Sequence, residues 1–188
     1  ALAIPDTRLD MYRLPRTFGV FLNQNQNVIF AEKPVREALA VSLDRTSIVA
    51  SVLRGYGTAL TGPLPPGSLG FAEKKAASDG GAGQATRDIE QAKDILKNAG
   101  WKLNEKTGFL AKKTKSGEVK FSFSLTVPET EELRAAATLA KEQWEKLGAE
   151  VTLRVFDAGD LQQNIIRSRK YDALFFGEII GRESDPFA

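Results

Sequence analysis

The chain has 188 residues, 42% hydrophobic and 27% charged, a balance ordinary for a soluble globular protein and long enough to bury a real core. Lys and Arg number 26 against 24 Asp and Glu, too small an excess for the field that attracts nucleic acid, and no apolar run approaches the ~20 residues of a membrane helix. Histidine and cysteine are both absent, which excludes within this chain a Ser-His-Asp triad, thiol nucleophiles, disulfides and zinc thiolates.

The first strand expected is TFGVFLNQ, Thr17 to Gln24, where Phe18, Val20 and Leu22 alternate with Gly19, Phe21 and Asn23 before the polar QNQN breaks the pattern. Pro34 then suits the first turn of a helix, and Val35, Leu39 and Leu43, with Ala38 and Ser42 between them, form one helical face. Asp44 can end that helix and cap the next, whose stripe is Ile48, Val49, Val52 and Leu53. Gly55 stands where a left-handed stop is expected. The result is a helix-corner-helix, read first as a packing unit.

A long loop follows, placed at 58–85, with Pro63, Pro65 and Pro66 and then AASDGGAGQ. Loops of this length are usually functional or flexible. Its GAGQAT lacks the third glycine of a dinucleotide fingerprint and the lysine of a P-loop, so a linker is the better reading. Thr86 is the expected N-cap of a helix with Ile89, Ala92, Leu96 and Ala99 on one face and Ile95 beside it. Gly100 ends it, with Trp101 folding back on Leu96 as the apolar contact of a Schellman stop rather than stacking on a ligand.

A hairpin is expected from Phe109–Lys113 and Val119–Val127 around KTKSGE, the second arm having one core face and one wet face. Leu133, Ala137, Ala140, Trp144 and Leu147 define the best helix, stopped at Gly148. AEVTLRVFD reads as a strand, and Asp160 to Arg169 as a short helix with Leu161, Ile165 and Ile166 inward. Arg167, Arg169 and Lys170 at its end form a solvated tail with no aromatic platform for nucleic acid. Tyr171 to Ile180 is a largely apolar strand, read as buried on both faces. Helix-glycine-strand units in this order predict an α/β fold, a mixed β-sheet flanked by helices.

Several of these motifs carry a family resemblance. The stretch from Gly19 to Pro66, with Asn23, Val35-Arg36-Glu37-Ala38-Leu39, Leu43-Asp44-Arg45, Ile48-Val49, Gly55, Gly57, Gly62-Pro63 and Pro65-Pro66, resembles the start of the C-terminal lobe of the family 5 extracellular solute-binding proteins. These are the dipeptide-, oligopeptide- and nickel-binding components of bacterial ABC importers. AKDILKNAGW, WEKLGAEVTLRVFD, and YDALFFGEII followed by Asp185-Pro186 are similar to further family motifs in the same order, so that the resemblance runs from about Val20 to Pro186.

The resemblance implies one lobe of a two-lobed periplasmic-binding-protein (type II) fold, with residues 1–188 as a single domain and the N-terminal lobe elsewhere on a longer polypeptide. It implies capture of a peptide or similar small solute between the lobes and delivery to ABC permease subunits. The full-length protein is expected to be exported to the periplasm or cell surface, with a signal peptide and a lipid anchor. Neither enzymatic activity, a cofactor, a metal site nor a nucleic-acid partner is expected. The segment Phe175 to Asp185 lines the cleft in the family, so the ligand-binding candidates are Glu178, Arg182, Asp185, Phe176 and Asn23, the last more as a backbone brace than as a contact. Peptide-binding relatives often carry Trp after the strand's glycine and, three residues on, an Asp that holds the peptide's amino terminus. Here those places hold Glu178 and Gly181, a departure at the point where the amine is read. Two alternatives stand beside this reading: a carboxylate-dependent hydrolase, which needs two acids flanking one bond, and a sensor domain of the same fold.

Overall fold

The computed structural model describes residues 16–60, 62, 82–115 and 117–179. Its main sheet has four strands in the order β1-β7-β5-β6, with β1 at Arg16–Leu22, β5 at Ser122–Pro128, β6 at Glu150–Phe156 and β7 at Ala173–Ile179. The strands β5, β6 and β7 are mutually parallel, and β1 runs antiparallel along the outer edge of β7. This is the mixed, helix-flanked sheet that the order of elements predicts. A second, three-stranded sheet holds β2 (Lys102–Leu103), β3 (Leu110–Thr114) and β4 (Gly117–Lys120).

The helix starts and stops follow from single residues. A 3-10 turn over Val28–Ala31 is capped by Asn27 and leads into α1 (Lys33–Val41), which has Pro34 in its first turn. Asp44 caps α2 (Arg45–Val52), its carboxylate accepting from the Ser47 N–H at 2.9 Å. The corner is fixed to the next layer by the Asp44 N–H, which donates to Gln143 Oε1 at 2.7 Å. At the end of α3 (Ala82–Asn98), the Trp101 N–H donates to the Leu96 carbonyl and the Gly100 N–H to that of Lys97, with Gly100 at φ +89°. At the end of α4 (Glu131–Leu147), the Ala149 and Gly148 N–H groups do the same for Trp144 and Glu145, with Gly148 at φ +103°. Both are Schellman stops, which satisfy the last carbonyls of a helix only when one residue takes the left-handed conformation.

Between α1, α3, α4 and one face of the main sheet lies the core. Phe30, Phe121, Phe123, Trp101 and Trp144 form its aromatic centre, with ring centroids 5.1 to 6.4 Å apart in edge and tilted contacts. The Trp144 indole N–H donates to the Leu39 carbonyl at 3.0 Å, so its one polar atom is satisfied inside the core. Trp101 is buried at a helix end, the role its position after Gly100 predicts.

Several local expectations are corrected. The helix α3 begins at Ala82, ahead of the expected cap at Thr86, because Ala82, Gln84 and Ala85 are good helix formers and one glycine among them is tolerated. The loop placed at 58–85 therefore ends before residue 82, and residues 63–81 lie outside the described residues. The second arm of the hairpin is split: β4 pairs with β3, the chain turns at the buried Phe121, and β5 joins the main sheet. As an interior strand β5 is not wet on its second face, where Thr126 and Pro128 are also buried. The strand β7 is buried only at its start, and its last two described residues are exposed. The apolar stripe of α2 is half-buried, with no residue fully covered, because this helix packs at the margin of α4 rather than over the sheet.

Candidate functional site

The strand register decides which candidate residues can act together. Leu125 and Thr126 of β5 pair with Ala173 and Leu174 of β7. Two residues later β5 ends at Pro128, whereas β7 continues to Ile179 with β1 alone beside it among the described residues. The pairs Phe18↔Gly177, Thr17↔Glu178 and Arg16↔Ile179 thus form a two-stranded projection beyond the sheet, roughly 10 Å long at ~3.3 Å per residue. It rises from the edge where the three parallel strands have their C-terminal ends, the place where open α/β sheets bind ligands.

The two faces of this projection differ. Leu174, Phe176 and Glu178 alternate onto one face. Beneath it, α5 (Ala158–Asp160), capped by Asp157, runs on as a π-helix over Leu161–Ile166. Leu161, Ile165 and Leu174 make a small second core there, against which Phe176, Phe156, Ile166 and Tyr171 pack. Phe176 is therefore a partly buried support, and Glu178, one step further out, is exposed. Among the described residues the Glu178 carboxylate has no hydrogen-bond or ion-pair partner. On the opposite face Gly177 sits under the ring of Phe18. A β-carbon at Gly177 would lie 2.5 Å from Phe18 Cε1, so only glycine lets the ring lie against the strand. Phe18 remains 42% exposed, an aromatic surface at the same tip.

Asn23 is at the other end. It follows Leu22, which pairs with Ala173, and so stands six residues, or roughly 20 Å, from Thr17 and its partner Glu178. Its carboxamide oxygen accepts from the Asn25 and Gln26 N–H groups at 3.2 and 3.3 Å, and its Nδ2 donates to the Arg169 carbonyl at 2.9 Å. These are the bonds of a backbone brace. Glu178 and Phe176 are brought together, and Asn23 is kept apart from both. Arg182 and Asp185 lie outside the described residues.

Sequence reasoning missed Phe18. The signal that would have found it is the glycine opposite an aromatic, but that opposition exists only once β1 is known to run antiparallel to β7 in this register. It also missed Thr126, whose hydroxyl is fully buried on β5 with no hydrogen-bond partner among the described residues. Among the described residues no group of three His, Cys, Asp or Glu side chains could hold a metal ion.

Residues 5–187 match the family model described as "Bacterial extracellular solute-binding proteins, family 5 Middle". The chain is 32% identical over 161 residues to the oligopeptide-binding protein AppA of Bacillus subtilis, an overlap of 84% of this chain and 28% of that relative. The structure of AppA in complex with a nonapeptide superposes with a TM-score of 0.75 at 29% identity, over 92% of this chain and 32% of that one. NikZ from Campylobacter jejuni, solved in complex with Ni(L-His), gives a TM-score of 0.66 at 20% identity over 88% and 30% of the two chains, a likeness of fold. The sheet and its helices are those of a periplasmic-binding-protein type II lobe. The chain spans about a third or less of the length of the relatives it matches.

Proposed function

Because the chain belongs to the family 5 bacterial extracellular solute-binding proteins, we propose that it is one lobe of the substrate-binding component of an ABC importer for peptides. The neighbour solved with a nonapeptide supports a peptide as ligand, the peptide lying between this lobe and an N-terminal lobe on the same polypeptide. Delivery to ABC permease subunits, export to the periplasm or cell surface and a lipid anchor belong to the same reading, as does the lack of any covalent chemistry.

One observation carries the reading at the level of residues: the Glu178 carboxylate, without a partner among the described residues, raised on the projecting β1–β7 ribbon at the C-terminal edge of the sheet. An acid in this position suits the amino terminus or a cationic side chain of a peptide. Phe176 supports it from the second core, Phe18 offers an apolar contact on the other side, and Arg182 and Asp185 follow on the chain as further candidates. A ligand that binds the closed arrangement of two lobes better than the open one drives closure by that difference in affinity.

Mass spectrometry of ligand released from the denatured full-length protein, followed by calorimetry with the peptide found, tests the proposal. Glu178→Gln should weaken binding roughly ten- to a hundredfold, the worth of one charge-assisted hydrogen bond. Unchanged affinity would remove Glu178 from the site, and release of a sugar in place of peptides would overturn the ligand class.

A further inference from the structure

A shallow depression lies where β1 ends and β7 begins, lined by Leu22, Asn23, Gln24, Asn25, Arg169 and Tyr171. Its frame is rigidly held. Asn23 closes the 23–26 turn with its oxygen and ties that turn to Arg169 with its nitrogen, while its own N–H donates to the Asp172 carbonyl at 2.8 Å. The turn after the π-helix is held by the Arg169 and Lys170 N–H groups, which donate to Ile166 and Ile165. Arg169 takes a left-handed φ of +53°, a conformation that costs free energy in a residue other than glycine and is sustained here by those bonds.

Gln24 Oε1 accepts from the Arg36 guanidinium at 3.5 Å, and three other polar tips face the depression unused. Among the described residues the Arg169 guanidinium, the Tyr171 hydroxyl and the Asn25 carboxamide have no hydrogen-bond partner. The nearest acid in sequence, Asp172, gives one carboxylate oxygen to the Ser124 N–H and hydroxyl, both at 2.8 Å. Arg169 is the one charged residue among those that line the depression. The result is a set of donors on a fixed scaffold: a planar guanidinium fork, a hydroxyl and an amide. A planar acceptor with two oxygens and one negative charge matches the fork, whereas a phosphate dianion would call for more than one cation in the depression.

We propose that the Asn23–Arg169 depression is a second binding site, for a carboxylate, separate from the Glu178 end of the ribbon. The carboxylate binds in the fork of Arg169 and accepts further from Tyr171 and Asn25. A small organic acid or the free carboxy terminus of a peptide would each present this group. The site stands whatever the Glu178 end binds, since roughly 20 Å of strand separates them.

The test uses the full-length protein and follows the backbone amide resonances of Asn25 and Tyr171 during titration with sodium acetate, against sodium chloride at matched ionic strength. Acetate should shift both signals saturably, with a midpoint in the millimolar range, and chloride should not. Arg169→Gln should abolish the saturation. Arg169→Lys, which keeps the charge and loses the fork, should weaken it several-fold, as should Tyr171→Phe. An N-acetylated tripeptide with a free carboxy terminus that reproduces the acetate shift, while its amidated form does not, assigns the site to peptide termini. No shift from either tripeptide, with acetate still saturating, assigns it to small acids. Equal shifts from acetate and chloride, a measurable shift of the same size from the free and amidated peptides, or equal shifts in the wild type and Arg169→Gln would overturn the proposal.

Discussion

The two ends of β7 obey different rules. At its start, Ala173 and Leu174 are buried, β5 and β1 flank the strand on both sides, and Asp172 is joined to Ser124 and Asn23. At its far end, among the described residues, only β1 accompanies it and Glu178 has no partner, and Ile179 is 68% exposed. A strand held at one end and free at the other keeps its stability away from the place where a ligand would be met. Local opening free energies in proteins are distributed in the same way, highest where contacts are dense and lowest at binding segments.

Substitutions along this gradient should have effects that decline from the anchored start of β7 to its free end. The largest effect is expected at Leu125, fully buried and paired with Ala173. Leu125→Ala should cost about 2–5 kcal/mol, read as a fall in the urea midpoint of the full-length protein. A loss below about 1 kcal/mol would mean that the start of β7 is not the anchored end. Asn23→Ala comes next. It removes the acceptor for two N–H groups and the donor to the Arg169 carbonyl, all solvent-exposed, and should cost about 0.5–1.5 kcal/mol by the same measurement. Thr126→Val replaces a buried hydroxyl that lacks a partner with a methyl of similar shape. It should be neutral or stabilise by up to about 1 kcal/mol, and clear destabilisation in thermal melts would reveal a partner for that hydroxyl. The smallest effect is expected at the free end, where Ile179→Ala should leave the unfolding midpoint within about 0.5 kcal/mol of wild type.

Much of the architecture could be read from single residues, because local chemistry decides local structure. Asp44 as a cap, Gly100 and Gly148 as helix stops, and Trp101 as a helix-end anchor each rest on one or two side chains acting within a few residues of their place in the chain. What depends on strand neighbours could not be read in this way. The run from Val119 to Val127 looks like one alternating strand, and only pairing with β3 on one side and β6 on the other cuts it at Phe121. The candidate site divides along the same line. Glu178 and Phe176 share a face by simple alternation, so their association was visible, whereas the placing of Phe18 over Gly177 and the separation of Asn23 from Glu178 follow from the register of β1 against β7.

That register has one more consequence. Arg16 and Ile179 are directly opposed across the antiparallel pair, which places their Cα atoms about 5 Å apart. The polypeptide between them passes through two sheets and a full core and then returns to its point of departure. Such a stretch behaves as a cassette with a single doorway. It could be spliced into a surface turn of an unrelated host, or have its two sides joined by a short peptide, without stretching any strand. Grafting residues 16–179 in this way would give a lobe whose orientation on its host is set by two adjacent backbone bonds.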